Sequence, residues 1–219
     1  MDREYLIRLI LMIPIAMISL SVHESAHGYI SYKLGDPTAR NLGRITMNPL
    51  KHFDIMGFIC MVICGVGWAK PVPVNPRYYK EPRKGMALTA AAGPISNLIL
   101  GYIGLFLFEL SVFIFSNIAL TESTFYIAYI VQLFFHLFAW RNIGLAVFNL
   151  IPVPPFDGSR ILFMFLPPKF YFGIMKYEHI IMLAMLVLFI FGVFDKPLYY
   201  VTSGVFNAMK WTVELIPIF

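Results

Sequence analysis

Long apolar stretches, separated by short polar or turn-rich segments, dominate the chain. Residues 5–30 form the first, 85–115 the second, 124–151 the third and 177–194 the fourth. Such runs reach the roughly 20 residues that a helix needs to cross a bilayer core. Residues 55–68 are apolar over only about 14 positions, below spanning length, and carry Gly57, Gly65 and Gly67, which predicts a re-entrant, membrane-dipping segment. Residues 197–219 fit either a further crossing or a helix lying in the interface, with Lys210 and Trp211 at its rim. Between the first run and the dipping segment, residues 31–54 are polar and rich in breakers: Gly35-Asp36-Pro37, Asn41-Leu42-Gly43 and Asn48-Pro49. Arg44-Ile45-Thr46-Met47 lies between two of these and reads as a short strand. The tract Lys70-Pro71-Val72-Pro73-Val74-Asn75-Pro76 cannot be helical throughout and is expected to be extended.

This pattern predicts an all-α polytopic membrane protein with four to six membrane segments, one of them short and re-entrant, and small β-strand elements. Composition agrees: 59% of the 219 residues are hydrophobic and mean hydropathy is +0.73, too apolar for an ordinary soluble domain. One membrane domain covering 1–219, with its core at about 5–165, fits that length. No segment is long and polar enough to suggest an added soluble domain, and the chain shows no internal repeat. The first apolar run carries chemistry-bearing residues, so it does not read as a cleavable signal.

The net charge of +5 is a topology signal before it is anything else. Lys33, Arg40, Arg44 and Lys51 precede the dipping segment, and Lys70, Arg77, Lys80, Arg83 and Lys84 follow it. By the positive-inside rule both flanks are cytoplasmic, which a full crossing would forbid. Residues 117–123 carry no Lys or Arg and fit an outside loop. No aromatic-basic motif for nucleic acid is present, so no nucleic-acid partner is expected. Cys60 and Cys64, the only cysteines, sit in an apolar stretch and imply no disulfide framework; they read as buried free thiols, with a structural metal role as the second reading.

The chemistry concentrates in the first apolar run, where Ser21–Gly28 reads SVHESAHG. His23 and His27 stand four apart, on one face of a helix, and can grip one metal from the same side. Glu24 lies beside the first of them, within reach of a metal-bound water as a general base. Ionisable residues at membrane depth are expensive and default to a functional reading. The third run breaks at Pro152-Val153-Pro154-Pro155-Phe156-Asp157-Gly158. Prolines at that density stop a helix, and unwound chain at membrane depth is tolerated beside a wet cavity. Asp157 is thereby held near the level of His27, unless it merely caps a helix opening at Gly158. The patch Ala90-Ala91-Ala92-Gly93-Pro94-Ile95-Ser96-Asn97 lets another helix approach closely, with Asn97 able to hydrogen-bond across. Arg141 and Asn142 read as buried polar residues that need partners. His52, His136 and His179 read as loop, packing and interface residues, not as ligands.

HESAH at 23–27 and NLIPVPPFDG at 149–158, with GRITMNPLKHFD, WAKPVPVNP and AAGPISN in order between them, resemble the site-2 protease family of intramembrane zinc metalloproteases in its compact bacterial form. The resemblance covers roughly residues 20–160. It implies one Zn2+ per chain on His23, His27 and Asp157, with Glu24 activating water. It further implies that Asn149 stabilises the oxyanion or orients substrate, that Asn97, at another recurrent family asparagine, takes part in substrate binding, and that Ile45, Thr46 and Met47 pair with unwound substrate by strand addition. Implied partners are membrane-spanning proteins or remnant signal peptides as substrates, and the lipid bilayer; a homo-oligomer is compatible with the chain, whose sequence leaves the oligomeric state open. The implied location is a bacterial cytoplasmic (inner) membrane, multi-pass, with the site opening toward the cytoplasm. Two other classes fit the same residues: a membrane metal-binding or transport protein, and an inactive scaffold. Glu24 separates them, because a transporter needs ligands whereas a hydrolase needs an unliganded carboxylate beside the water.

Overall fold

The computed structural model of the chain describes residues 3–57, 69–118, 121–167, 173–174 and 176–216. Helix α1 runs Arg3–Lys33, α2 is one turn at Thr38–Asn41, α3 spans Pro82–Ser116 and α4 spans Glu122–Asn149. A short helix, α5, covers Asp157–Phe163, followed by α6 at Glu178–Ile190 and α7 at Asp195–Glu214. Among the described residues, α1, α3 and α4 are long and apolar enough to cross a membrane. The pair α6 and α7, bent by 85°, adds a fourth crossing if taken as one broken span. Alone, α6 is about 20 Å long at 1.5 Å per residue, short of the roughly 30 Å of a hydrocarbon core.

Helix α1 is arranged inside out by the standards of a water-soluble protein. Tyr5, Leu9, Ile13 and Met17 are exposed, while Ser19, Ser21, His23, Ser25, His27 and Ser31 are buried. In lipid the apolar side chains need no cover, and polar groups collect where another helix supplies partners. Ser19 and Ser21 donate to the carbonyls of Ile15 and Met17 one turn back, at 2.7 and 2.6 Å. Helix α3 presents a matching stripe: Gly85, Thr89, Gly93, Asn97 and Gly101 recur every fourth residue and are all buried, a row that winds around the helix so that Gly93 faces α1 and Gly101 faces α4. That helix packs against α1 and α4, and α7 closes over α3 and α4. Leu105, Ala139, Ile143, Phe206 and Val213 form the core of this second contact, and Lys210 Nζ lies 3.6 Å from Glu109 Oε1 at its edge.

The expected small strands are not formed: the described residues contain no β-strand. Arg44-Ile45-Thr46-Met47 is an irregular bend. Four residues without a partner strand have no ladder to join. The Thr46 carbonyl is taken by side-chain donors instead, Ser25 Oγ at 2.5 Å and His52 Nε2 at 2.9 Å. Asn48 then caps a 3-10 turn at Pro49–Lys51 through its bond from the Leu50 amide. Arg141 is exposed, against the expectation of burial, while its neighbour Asn142 is fully buried. The expected re-entrant segment, apart from residues 55–57, and both cysteines fall in 58–68, outside the described residues.

Candidate metal centre

Helix α1 supplies two imidazoles from one face, and the break after α4 supplies the third group. Helix α4 ends at Asn149, the chain turns through residues 150–156, and Asp157 opens α5. Gly158 makes this turn possible. A Cβ there would collide with the Leu150 carbonyl, at 2.5 Å from its carbon, and come to 2.6 Å from the Ile151 oxygen. With only hydrogen at that position the turn folds back tightly and Asp157 faces α1.

His23 Nε2 and His27 Nε2 are 3.0 Å apart. Asp157 Oδ2 sits 3.2 Å from the first and 3.3 Å from the second. Both imidazoles are held from behind: His23 Nδ1 meets Asn97 Oδ1 at 2.5 Å, and His27 Nδ1 meets the Thr89 carbonyl at 2.7 Å. A backbone carbonyl only accepts, so His27 carries its proton on Nδ1 and turns a lone pair on Nε2 toward Asp157. Asp157 Oδ2 is buried with no hydrogen-bond partner. Lone pairs therefore converge on one point, an arrangement that calls for a cation. Two imidazoles and a carboxylate are a donor set that zinc takes, and ligands about 2.0–2.1 Å from a tetrahedral ion would lie about 3.3 Å apart. The observed spacings match, so His23, His27 and Asp157 could hold one zinc ion.

The facing wall is Gly93 of α3. A Cβ on it would stand 2.5 Å from His27 Nε2 and 2.6 Å from His23 Nε2. Any side chain at 93 would fill the space on which the nitrogens converge. Asn97, fully buried, also donates through Nδ2 to Asn142 Oδ1 at 2.9 Å and to the Ser19 carbonyl at 3.3 Å.

Glu24 stands apart from the three converging groups. Its Oε2 accepts from the Val72 amide at 2.8 Å, so the tract predicted to be extended reaches the site through a backbone N–H. That tract is anchored by Asp36, which is fully buried. Asp36 Oδ2 accepts from the Asn75 amide at 2.7 Å and from Ser31 Oγ at 2.8 Å, and Oδ1 from the Thr38 amide at 2.9 Å. Burial pushes the Asp36 carboxyl up, but the bonds from Asn75, Thr38 and Ser31 outweigh it and hold it below its ordinary value. Tyr79 joins this cluster to the metal centre: its hydroxyl meets Ser31 Oγ at 2.7 Å and Thr89 Oγ1 at 3.0 Å, and Thr89 is the residue whose carbonyl holds His27.

The other residues singled out in the sequence lie as follows. Asn149 is the last residue of α4, partly buried, with Nδ2 donating to the Leu145 carbonyl at 2.9 Å. Ile45 and Thr46 are half-buried beside Gly28 and Ser25, and Met47 is exposed. His52 is buried, with Nε2 on the Thr46 carbonyl. Sequence reasoning missed Thr89 and Val72, which act through backbone atoms; it placed Gly93 in a patch of close helix approach but gave it no part in the site, although its four-residue spacing from Asn97 was there to be seen.

A family model described as peptidase family M50 matches residues 11–192. A Bacillus subtilis (strain 168) protein, provisionally named zinc metalloprotease YwhC, is 41% identical over 174 residues, covering 80% of this chain and 77% of the relative. A provisionally named zinc metalloprotease, Rip2, of Mycolicibacterium smegmatis is 26% identical over 173 residues, 73% of this chain and 59% of its own. A third so named, MJ0611 of Methanocaldococcus jannaschii, is 33% identical over 110 residues, 49% of each chain. No solved structure matches.

Proposed function

The chain belongs to peptidase family M50 and is a zinc metalloprotease, and on that footing we propose that it hydrolyses peptide bonds within transmembrane segments, with Glu24 as the general base. The observation that carries this reading is the convergence of His23 Nε2, His27 Nε2 and Asp157 Oδ2 within 3.3 Å of one another, between helices long enough to span a membrane. These three residues would hold the ion. Zinc bound there supplies a Lewis acid that polarises the scissile carbonyl and acidifies water.

Glu24 is not one of the converging groups, which is what a proton carrier needs. It takes a proton from the attacking water as the new C–O bond forms. The same proton passes to the amide nitrogen as the C–N bond breaks, and the second water proton follows it to the freed amine, so the products are a carboxylate end and an ammonium end. The Val72 amide fixes one carboxylate oxygen of Glu24 and leaves the other to work. Asn149, at the helix end just before the break, has a second amide hydrogen to offer the developing oxyanion. Ile45 and Met47 flank the occupied Thr46 carbonyl, and their own backbone groups are offered to an unwound stretch of substrate.

The site lies toward the Lys33 end of α1, where Arg40, Arg44, Lys70 and Arg77 also gather. By the positive-inside rule this end faces the cytoplasm. The proposed setting is a bacterial inner membrane, and the proposed substrates are membrane-spanning proteins or remnant signal peptides. The test is zinc content and cleavage of a generic single-span substrate by detergent-purified wild type beside Glu24→Gln. Zinc near one per chain in both with cutting only in wild type supports the mechanism. Equal cutting by the variant refutes Glu24 as base, and zinc absent from both refutes the ligand assignment.

A further inference from the structure

We infer that Asn142, which touches neither metal nor substrate, is a positioning residue that sets which nitrogen of His23 is free to bind zinc. This rests on His23 being a ligand, as proposed above.

A buried hydrogen-bond chain with one possible direction runs from α4 through α3 to α1. It begins at the Phe138 carbonyl, which accepts from Asn142 Nδ2 at 2.8 Å. An amide that donates through its nitrogen there must offer oxygen at its other end, and Asn142 Oδ1 accepts from Asn97 Nδ2 at 2.9 Å. Asn97 is therefore turned with Oδ1 toward His23 Nδ1, 2.5 Å away. An oxygen acceptor requires a proton on Nδ1, which leaves the Nε2 lone pair for the ion. The Ser19 carbonyl, 3.3 Å from Asn97 Nδ2, pulls the same way over a longer contact. Asn97 and Asn142 are both fully buried, so water cannot take over either role. If Asn97 flipped, its NH2 would face His23 and favour the tautomer with the proton on Nε2, where zinc must bind. His27 needs no such relay, because a backbone carbonyl that cannot flip holds its Nδ1.

The full chain in detergent provides the test, with zinc affinity measured by competition against a chelating dye. Loss of a partner behind a metal ligand typically costs about 10- to 100-fold in affinity, and Asn142→Leu is expected near the lower figure. Asp at position 97 accepts through either oxygen, so the tautomer no longer depends on residue 142. The double variant Asn97→Asp/Asn142→Leu should then bind zinc as Asn97→Asp does. Equal loss in both backgrounds makes Asn142 a packing residue and overturns the inference, as does no loss in the wild-type background. Nitrogen-15 spectra of the zinc-free wild type, labelled at its five histidines, give a readout that survives a misfolded variant: a His23 ring protonated on Nε2 refutes the relay. Unchanged zinc affinity in His23→Ala would instead sink the ligand assignment itself.

Discussion

Gly93 is the position at which a single added carbon should empty the metal centre. The Cβ of Gly93→Ala would stand 2.5 Å from His27 Nε2 and 2.6 Å from both Nε2 and Cε1 of His23, about 1 Å inside ordinary contact distance. Neither ring can simply rotate away, because Asn97 and the Thr89 carbonyl hold their Nδ1 atoms. Either α3 backs away from α1 or the rings move together and the three ligand atoms lose their common centre. Overpacking of a close-packed site typically costs about 1–3 kcal/mol. Charged against metal binding, that is a loss of roughly 5- to 140-fold in zinc affinity, at 1.4 kcal/mol per tenfold. Chelator competition on the purified variant measures it, with cleavage rate as a second readout. The control is Gly204→Ala in α7, where a Cβ meets nothing within 4 Å; it should keep zinc and gain about 0.5–1 kcal/mol of stability from reduced backbone freedom. Wild-type zinc affinity in Gly93→Ala would refute the steric reasoning, and so would an equal loss in the control.

Two further substitutions probe what holds the site from outside. Gly158→Ala places a carbon against the Leu150 and Ile151 backbone; it should displace Asp157 and cut zinc affinity at least tenfold, of the order set by overpacking, while wild-type affinity would show that the break has slack. Asp36→Asn tests the loop anchor by pH. The folded carboxyl of Asp36 titrates below its ordinary value, so its contribution is complete above an unfolded pKa of about 4 and is lost as pH falls through the folded value. Hydrogen bonds to a charged group are worth about 1.5–3 kcal/mol, so Asp36→Asn should melt earlier than wild type at neutral pH. The two melting temperatures should converge well below pH 4, and a gap that persists in acid would contradict the assignment.

The three groups that converge in the candidate metal centre were legible in the sequence because they are side chains with fixed spacing. His23 and His27 declare a helix face by standing four apart, and prolines around Asp157 declare unwound chain. The membrane helices were equally visible, since lipid demands long apolar runs. The failed strand at Arg44 to Met47 shows where composition stops helping. Breakers bounded the segment correctly, but whether it pairs depends on who takes the Thr46 carbonyl, and the takers, Ser25 and His52, lie in other elements.

Backbone partners are harder still. The Thr89 carbonyl and the Val72 amide act identically whatever side chain their residues carry, so no residue letter marks them. Asn142 shows a third limit. Beside Arg141 it read as one of a polar pair, yet successive helical residues point about 100° apart. One therefore faces outward while the other reaches Asn97. The phase that separates them comes from α3, whose stripe at 85, 89, 93, 97 and 101 fixes which side of α4 is interior. That stripe was in the sequence throughout. It becomes legible only once His23 and His27 show what an every-fourth-residue row of α3 has to accommodate: two rings, and no side chain at 93.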